Sequence, residues 1–201
     1  LQPTALASAS DGSPAVGTAT EGLLTLDGTW TSHFPNGPAS NQFISVAVDP
    51  AGTVWGASGF NGNGKGFYRY NGRDWKSFTA AGDGLPTNDY FRISVACGGS
   101  VWASSWGWGV VEIPAGSDSI DPAHIYGRNV GMIGLPNDTN YVVVSSVACD
   151  AAGNSWMTVI NASDGNVLIA RSPSGSWVRI PVVYGGSAFT SLTDNIPVDR
   201  S

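Results

Sequence analysis

One pattern returns three times along the chain, and its spacing constrains the fold more than any other feature. It first reads Val46-Ala47-Val48-Asp49-Pro50-Ala51-Gly52-Thr53-Val54-Trp55. It returns two residues shorter as Val95-Ala96-Cys97-Gly98-Gly99-Ser100-Val101-Trp102. At full length it returns as Val147-Ala148-Cys149-Asp150-Ala151-Ala152-Gly153-Asn154-Ser155-Trp156. The leading valines step by 49 and then 52 positions, from 46 to 95 to 147. A repeat of about 40–50 residues built from short alternating strands is the signature of β-propeller blades.

Each repeat divides into four strands. In the second, Phe43–Val48 alternates with Ile44, Val46 and Val48 as the inward set. The turn Asp49-Pro50-Ala51-Gly52 closes a hairpin, with Asp supplying an acceptor and Gly a positive φ. Thr53–Ala57 and Gly66–Tyr70 follow, and an Asn71-Gly72 turn leads to Asp74–Phe78. The third repeat gives Ile93–Cys97, Val101–Ser105, Val110–Ile113 and His124–Tyr126. The fourth gives Val143–Cys149, Asn154–Val159, Val167–Ala170 and Trp177–Val182. A worn first repeat is traceable as Ala5–Ser10, Ala15–Ala19, Gly22–Leu26 and Thr29–Thr31. The predicted blades span residues 4–34, 43–78, 92–127 and 143–182. Residues 183–201 read as an inter-blade loop, Gly185 to Asn195, and then a fifth inner strand starting at Ile196-Pro197-Val198-Asp199. The expectation is an all-β propeller of about four four-stranded antiparallel blades, part of a larger ring; the alternative is a closed four-blade ring with a loose tail.

Composition agrees with that class and removes others. Gly at 27 and Pro at 12 argue against a helical protein. The 42% apolar share of 201 residues supports a packed core. Net charge is −6 with no basic stripe, which disfavours nucleic acid as a partner. No run of about 18 apolar residues exists to span a membrane. Leu1-Gln2-Pro3-Thr4 carries no signal-peptide features and reads as a mature or trimmed end. Few charges and many Trp, Ser, Thr, Asn and Gly suggest an extracellular, cell-surface or periplasmic setting.

The turns before the inner strands also rhyme: Gly84-Leu85-Pro86-Thr87-Asn88 and Gly134-Leu135-Pro136-Asn137-Asp138. A Gly-Leu-Pro turn, then an inner strand, D-x-x-G-x-x-W and a G-Φ-Φ-x-Φ strand resembles the two-component regulator propeller repeat. The resemblance covers residues 40–182 well and 4–34 weakly. It departs at Gly98-Gly99, which replaces the Asp turn, and at the long Pro114–Ala123 stretch. It implies a bacterial sensor propeller of a hybrid two-component system or a surface propeller of type IX secretion.

Catalytic signatures are sparse. No metalloprotease, nucleophile-elbow, CxxC or phosphate-loop motif occurs. His33 and His124 fall near outer strands without nucleophile partners, and the acids Asp27, Asp49, Asp74 and Asp150 favour turns. Asp11-Gly12 and Asp164-Gly165 read as turns and not calcium loops. The expectation is therefore no catalytic residue, no metal and no cofactor. Asn137-Asp138-Thr139 and Asn161-Ala162-Ser163 match the glycosylation pattern by coincidence in a bacterial protein. Cys97 and Cys149 align with Val48 and read as small buried apolar residues. Equivalent positions on neighbouring blades are expected to lie beyond the ~7 Å that a disulfide allows. Trp55, Trp102 and Trp156, at equivalent positions, are expected to pack between blades, as are Trp30, Trp75 and Trp177 on the outer strands.

One asymmetry points to a contact surface. In a four-stranded meander, the second-to-third-strand loops and the blade-to-blade loops emerge on one face. That face collects Phe60, Asn61, Tyr90, Phe91, Trp106, Trp108, Asn140, Tyr141, Asn161 and Asp164. Flat rings flanked by amides suit a glycan or peptide, because rings cover apolar faces while amides fix hydroxyls. The competing reading has Trp106 and Trp108 plugging the channel or covering a blade edge. The function expected is a non-enzymatic recognition or scaffold module, with a glycan or protein partner on the loop-rich face and further blades or another chain at the termini. The alternatives are a structural subunit of a larger surface assembly, and a propeller glycosidase or lyase using paired carboxylates at the channel mouth.

Overall fold

The computed structural model describes residues 2–8, 10–19, 22–33, 36–184 and 187–188. The chain divides into two compact units, Leu1–Gly37 and Pro38–Ser201. The first is a four-stranded antiparallel meander of β1 (Pro3–Ser8), β2 (Pro14–Thr18), β3 (Leu23–Asp27) and β4 (Thr29–His33). Its small side chains and turn glycines permit hairpins but leave little to bury, and β1 and β4 are exposed throughout.

The second unit carries the repeats. Its first sheet is β5 (Ser45–Val48), β6 (Val54–Ala57), β7 (Phe67–Tyr70) and β8 (Trp75–Phe78), in that order. A one-turn helix α1 (Ala80–Asp83), capped by Thr79, leads to β9 (Tyr90–Val95), β10 (Val101–Gly107), β11 (Val110–Ile113) and β12 (Ile125–Tyr126). The last full sheet is β13 (Val142–Cys149), β14 (Ser155–Val159), β15 (Leu168–Arg171) and β16 (Trp177–Ile180). The expected antiparallel meanders are present. They are not wholly separate, because Trp106 and Gly107 of β10 pair with Val143 and Val142 of β13 and join two sheets. The stretch read as a loop from Gly185 contains β18 (Ser187–Ala188), which pairs with β17 (Val183–Tyr184). The fifth inner strand expected at Ile196–Asp199 lies outside the described residues.

The period-2 alternation gives each sheet two apolar faces, and the core forms where faces meet. One cluster gathers Trp55, Phe67 and Phe78 from the β5–β8 sheet with Tyr90, Ile93, Val101 and Val111 from the next. The other joins Trp102, Val110 and Tyr126 to Val144, Val147, Met157 and Ile169. Val101 and Trp102 are neighbours in sequence yet belong to different clusters, as strand geometry requires. Val46 and Val48, expected to point inward, are 55% and 57% exposed, while Ala47 packs against the core. The alternation is real, but its opposite phase is the one covered by the following sheet.

The repeated aspartate does more than turn the chain. Asp49 accepts hydrogen bonds from the Ala51 and Thr53 amides and, at 3.0 Å, from Trp55 Nε1. Asp150 repeats the arrangement with Ala152, Asn154 and, at 2.8 Å, Trp156 Nε1. The motif D-x-x-x-x-x-W thus fastens a hairpin turn to the tryptophan that enters the sheet interface. Where Gly98-Gly99 replaces the aspartate, the buried Trp102 Nε1 has no partner. Burial works against the Asp49 charge, but the bonds from Trp55, Thr53 and Ala51 outweigh it and hold the carboxyl below its usual range. The bonds from Trp156 and Asn154 hold Asp150 down to about 2.

The cysteines depart from expectation. Cys97 and Cys149 form a disulfide with Cα atoms 5.1 Å apart. The shortened turn is the reason: β9 ends at Val95, and Cys97 begins a single 3-10 turn, Cys97–Gly99, instead of continuing the pleat toward the position of Val48. The bridge closes 52 residues and ties two successive sheets together at their inner strands. The long Pro114–Ala123 stretch also has a structural role. Asp118 pairs with Arg69 at 2.9 Å, and Lys76 Nζ donates to the Asp118 carbonyl, so the stretch fastens to the outer strands of the preceding sheet.

Two outcomes are expected. Replacing both cysteines, Cys97→Ser with Cys149→Ser, lowers unfolding stability by about 4 kcal/mol, the chain-entropy value for a loop of this length; an unchanged urea midpoint would show that the bridge constrains nothing. Acid acts through the aspartate turns. The folded pKa of Asp150 is about 2, below the ordinary aspartate value of 3.8, so its contribution is full above pH ~4 and declines as pH falls from 4 toward 2. Asp150→Asn is expected to flatten the fall of the urea midpoint across that interval.

Candidate functional site

The loop-rich face is organised by the β10–β11 turn. Ser105 N and Oγ both donate to the Gly109 carbonyl at 2.8 Å, and Trp108 N donates to Ser105 Oγ at 3.1 Å. Gly109 N donates to Val142 O at 2.8 Å, which fixes the turn to the next sheet. The close approach requires glycine: a Cβ on Gly109, at φ +82, would lie 2.1 Å from the Tyr126 carbonyl oxygen. These constraints send the two tryptophans of Trp106-Gly107-Trp108 to different surroundings.

Trp106 joins an aromatic cluster. Its ring lies 5.3 Å from Phe60 and 5.4 Å from Phe91, the latter edge-on. Tyr141 covers Gly107 so closely that a Cβ there would meet its ring at 2.6 Å. Burial, then the nearby Asp89 charge, pushes the Tyr141 phenol up. Asp89 also accepts from the amides of Gly62 and Gly64 at 2.7 and 2.9 Å, which staples the Phe60 loop to the β8–β9 connection. Asn61 takes a left-handed φ of 61° in that loop. Phe60, Asn61, Phe91, Trp106 and Tyr141 therefore belong to one fastened surface in which Trp106 is half-buried by its neighbours.

Trp108 is 57% exposed. It lines an open groove of about 610 Å³ with Pro86, Pro122, Ile125, Arg128 and Asn140. The floor is held by Asn129, which accepts from Gly127 N and donates to Ile125 O, both at 2.8 Å. Arg128 makes a long 3.5 Å contact to the Met132 carbonyl and is among the residues that line the groove. An exposed indole, proline rings and a guanidinium beside an amide can stack on a flat apolar surface and hold hydroxyl or carboxylate oxygens. No Asp, Glu, His or Cys is among the residues that line the groove.

The ten residues expected on this face are thus divided. Trp108 and Asn140 meet at the groove, and the aromatic cluster and its Asn61 loop form the second group. Tyr90 is interior: it is fully buried, edge-on to Phe67 at 4.9 Å, and its hydroxyl has no partner. A register shift between Ser104 and Ser105 places Tyr90 opposite Ser105 and turns its ring into the core. Burial drives its phenol pKa well upward. Asp164 is committed to Arg179 at 2.7 Å and to Asn166, and Asn161 is an exposed turn residue with φ 51°. Arg128, Pro122 and Ile125 were not legible as site residues, because Ile125 reads as part of the outer strand His124–Tyr126 and Pro122 and Arg128 lie just outside it with no motif of their own. Neither histidine joins a reactive group: His33 Nε2 meets Thr25 Oγ1 at 2.8 Å, and half-buried His124 packs 6.3 Å from Tyr126. Among the described residues, no group of three His, Cys, Asp or Glu could hold a metal ion.

No family model matches the chain, and no curated protein matches it. Solved structures do. PorZ, a surface component of the type IX secretion system of Porphyromonas gingivalis, superposes with a TM-score of 0.62 at 24% identity, over 85% of this chain and 24% of its own. The extracellular domain of a hybrid two-component system from B. thetaiotaomicron gives 0.51 at 18% identity, over 89% of this chain and 23% of its own. Virginiamycin B lyase from Staphylococcus aureus gives 0.46 at 14% identity, over 90% of this chain and 56% of its own. The fold is the all-β, propeller-like one, and the first two neighbours are the kinds of protein that the repeat motif implies. The chain spans about a quarter of the length of those two.

The two tryptophans are expected to separate by stability. Trp106→Ala costs about 2–3 kcal/mol, somewhat under the ~3–5 kcal/mol of a fully buried ring, whereas Trp108→Ala stays within ~0.5 kcal/mol. Urea unfolding of the two single variants checks this; equal effects would place both rings in the same role.

Proposed function

We propose that this chain is a non-enzymatic recognition or scaffold module of an extracellular or cell-surface protein, and that the Trp108 groove takes its protein or glycan partner. The observation that carries the reading is an indole left 57% exposed on a turn that backbone bonds hold rigid. Exposed aromatics held in place bind with little loss of conformational freedom, which is why they anchor interfaces. The groove lining, apolar rings with Arg128 and Asn140 and without a carboxylate, favours binding over acid–base chemistry.

Two observations support the setting. A disulfide belongs to oxidising compartments. The superposable neighbours are a bacterial surface component and an extracellular domain. Among the described residues, no helix is long and apolar enough to cross a membrane. The blade count and a place within a larger propeller belong to the same proposal, as does the assignment of residues 4–34, 43–78, 92–127 and 143–182 to successive blades.

The test is photo-crosslinking on cells that make the protein, with a benzophenone amino acid at Asn140, beside binding to an array of bacterial glycans. Trp108→Ala is expected to lower captured partner or glycan signal at least tenfold while the unfolding midpoint holds. Capture that is indifferent to Trp108→Ala and to Arg128→Ala would overturn the groove as the contact surface. Hydrolysis or elimination products from an arrayed glycan would instead favour the carbohydrate-active alternative.

A further inference from the structure

The groove beside Trp108 contains a positive charge without a counter-charge. Arg69, Arg171 and Arg179 face the carboxylates of Asp118, Glu112 and Asp164 respectively. Arg128 is exposed and, among the described residues, is in no ion pair. Its hydrogen bond to the Met132 carbonyl is long, at 3.5 Å. No acid lines the groove beside it. An unmatched guanidinium is thus kept at this surface in a chain of net charge −6. Its planar fork suits the two oxygens of a carboxylate.

The other polar groups restrict how a partner can be held. Asn129 is committed to Gly127 N and Ile125 O, on the outermost strand of the sheet, β12. Ile125 N is also engaged, donating to the Pro122 carbonyl. With these edge groups taken, a partner does not add a strand here. Asn140 is different. Its backbone N donates to Asp138 Oδ1 at 3.0 Å, which fixes the turn, and its side-chain amide makes no hydrogen bond among the described residues. Trp108, Pro86, Pro122 and Ile125 make the rest of the contact surface apolar. A sugar carries hydroxyls around its rim, and each one taken from water needs a partner. Two free polar side chains, Arg128 and Asn140, do not supply that number. A peptide with a flat apolar ring and one carboxylate needs no more than these.

We infer that the groove takes an extended acidic peptide that contains proline. The inference rests on the groove being the contact surface and adds the chemistry of its partner. A prolyl ring stacks on Trp108, a carboxylate takes the Arg128 fork, and Asn140 bonds a backbone amide of the peptide. The blocked edge of β12 is the reason for proline. A polyproline II segment has no internal hydrogen bonds and needs no strand partner, and its carbonyls stand free to accept from a side chain such as Asn140. It is also ordered before it binds, so little conformational freedom is lost on a surface that is itself held rigid.

The experiment measures binding of the full chain to short acetylated peptides by fluorescence polarisation. The peptides carry Pro and Glu at every pair of positions in an Ala-Ser background. Matched sets replace Glu by Gln or Pro by Ala, and each is made as the free C-terminal acid and as the amide. The expected result is a preference of at least tenfold for peptides that carry both a carboxylate and proline, with Arg128→Gln removing the carboxylate preference and Trp108→Ala lowering all binding at least tenfold. Glu over Gln among the amides assigns the carboxylate to a side chain; free acid over amide in the Gln set assigns it to a chain end. Binding that ignores the carboxylate, keeps that preference in Arg128→Gln, or is equal with Ala in place of Pro overturns the inference. So does an array without a binder. If peptide, glycan or captured protein still depends on Trp108 in those cases, the groove remains the contact surface and only its acidic peptide is lost. If none of them depends on Trp108, both readings fall.

Discussion

Face-to-face packing of antiparallel sheets is the interaction on which the rest of this structure depends. Every strand of the repeat unit is short, and a lone four-stranded meander would bury little. Stability comes from matching the tryptophan face of one sheet to the branched-aliphatic face of the next, as Trp55 meets Ile93, Val101 and Val111. The aspartate turns, the inner-strand serines and the disulfide all act on that contact. Asp49 and Asp150 orient the indoles, Ser45 and Ser94 register successive inner strands, and Cys97–Cys149 prevents two of them from separating.

The same packing explains where a binding surface can form. Side chains within the sheets are committed to two interfaces, which leaves the connecting loops to carry recognition. The loops here are tied down unusually well by Asp89, Ser105 and Asn129. The tied loops hold Trp108 outward and draw Trp106 into a cluster two residues earlier. Two tryptophans of one motif, separated by Gly107, therefore differ in kind, one supporting the surface and the other forming it. The groove beside Trp108 combines loops from before β9, before β12 and before β13, so no single repeat contains it.

Near the third turn the repeat is imperfect, and the structure shows a cost and a gain. Loss of the aspartate leaves Trp102 Nε1 buried without a partner. The shortened turn also brings Cys97 within reach of Cys149, and the covalent tie replaces what the hydrogen bond supplied elsewhere. Around Tyr126, a second polar group is retained inside the apolar contact. Its hydroxyl donates to Glu112 at 3.1 Å, and the Arg171 guanidinium stacks over its ring at 5.4 Å. Burial and the Glu112 charge push that phenol up to about 12, so it stays protonated as a donor.

The sequence by itself determined the repeat, the strand type, the turns and the two-faced character of each sheet, because those follow from local periodicity and from Asp, Asn and Gly at fixed offsets. It also determined that the β10–β11 and blade-to-blade loops would concentrate aromatics and amides. Only the tertiary structure decided which phase of the alternation is covered. Val46 and Val48 have the right pattern for burial, yet Ala47 faces the neighbouring sheet. It also decided that Tyr90 is core, that Cys97 meets Cys149 and that Arg128 joins Trp108, since each outcome depends on a register shift, a shortened turn or a neighbouring loop. Periodicity specifies what a strand offers on each side; the sheet that packs against it determines which side becomes interior.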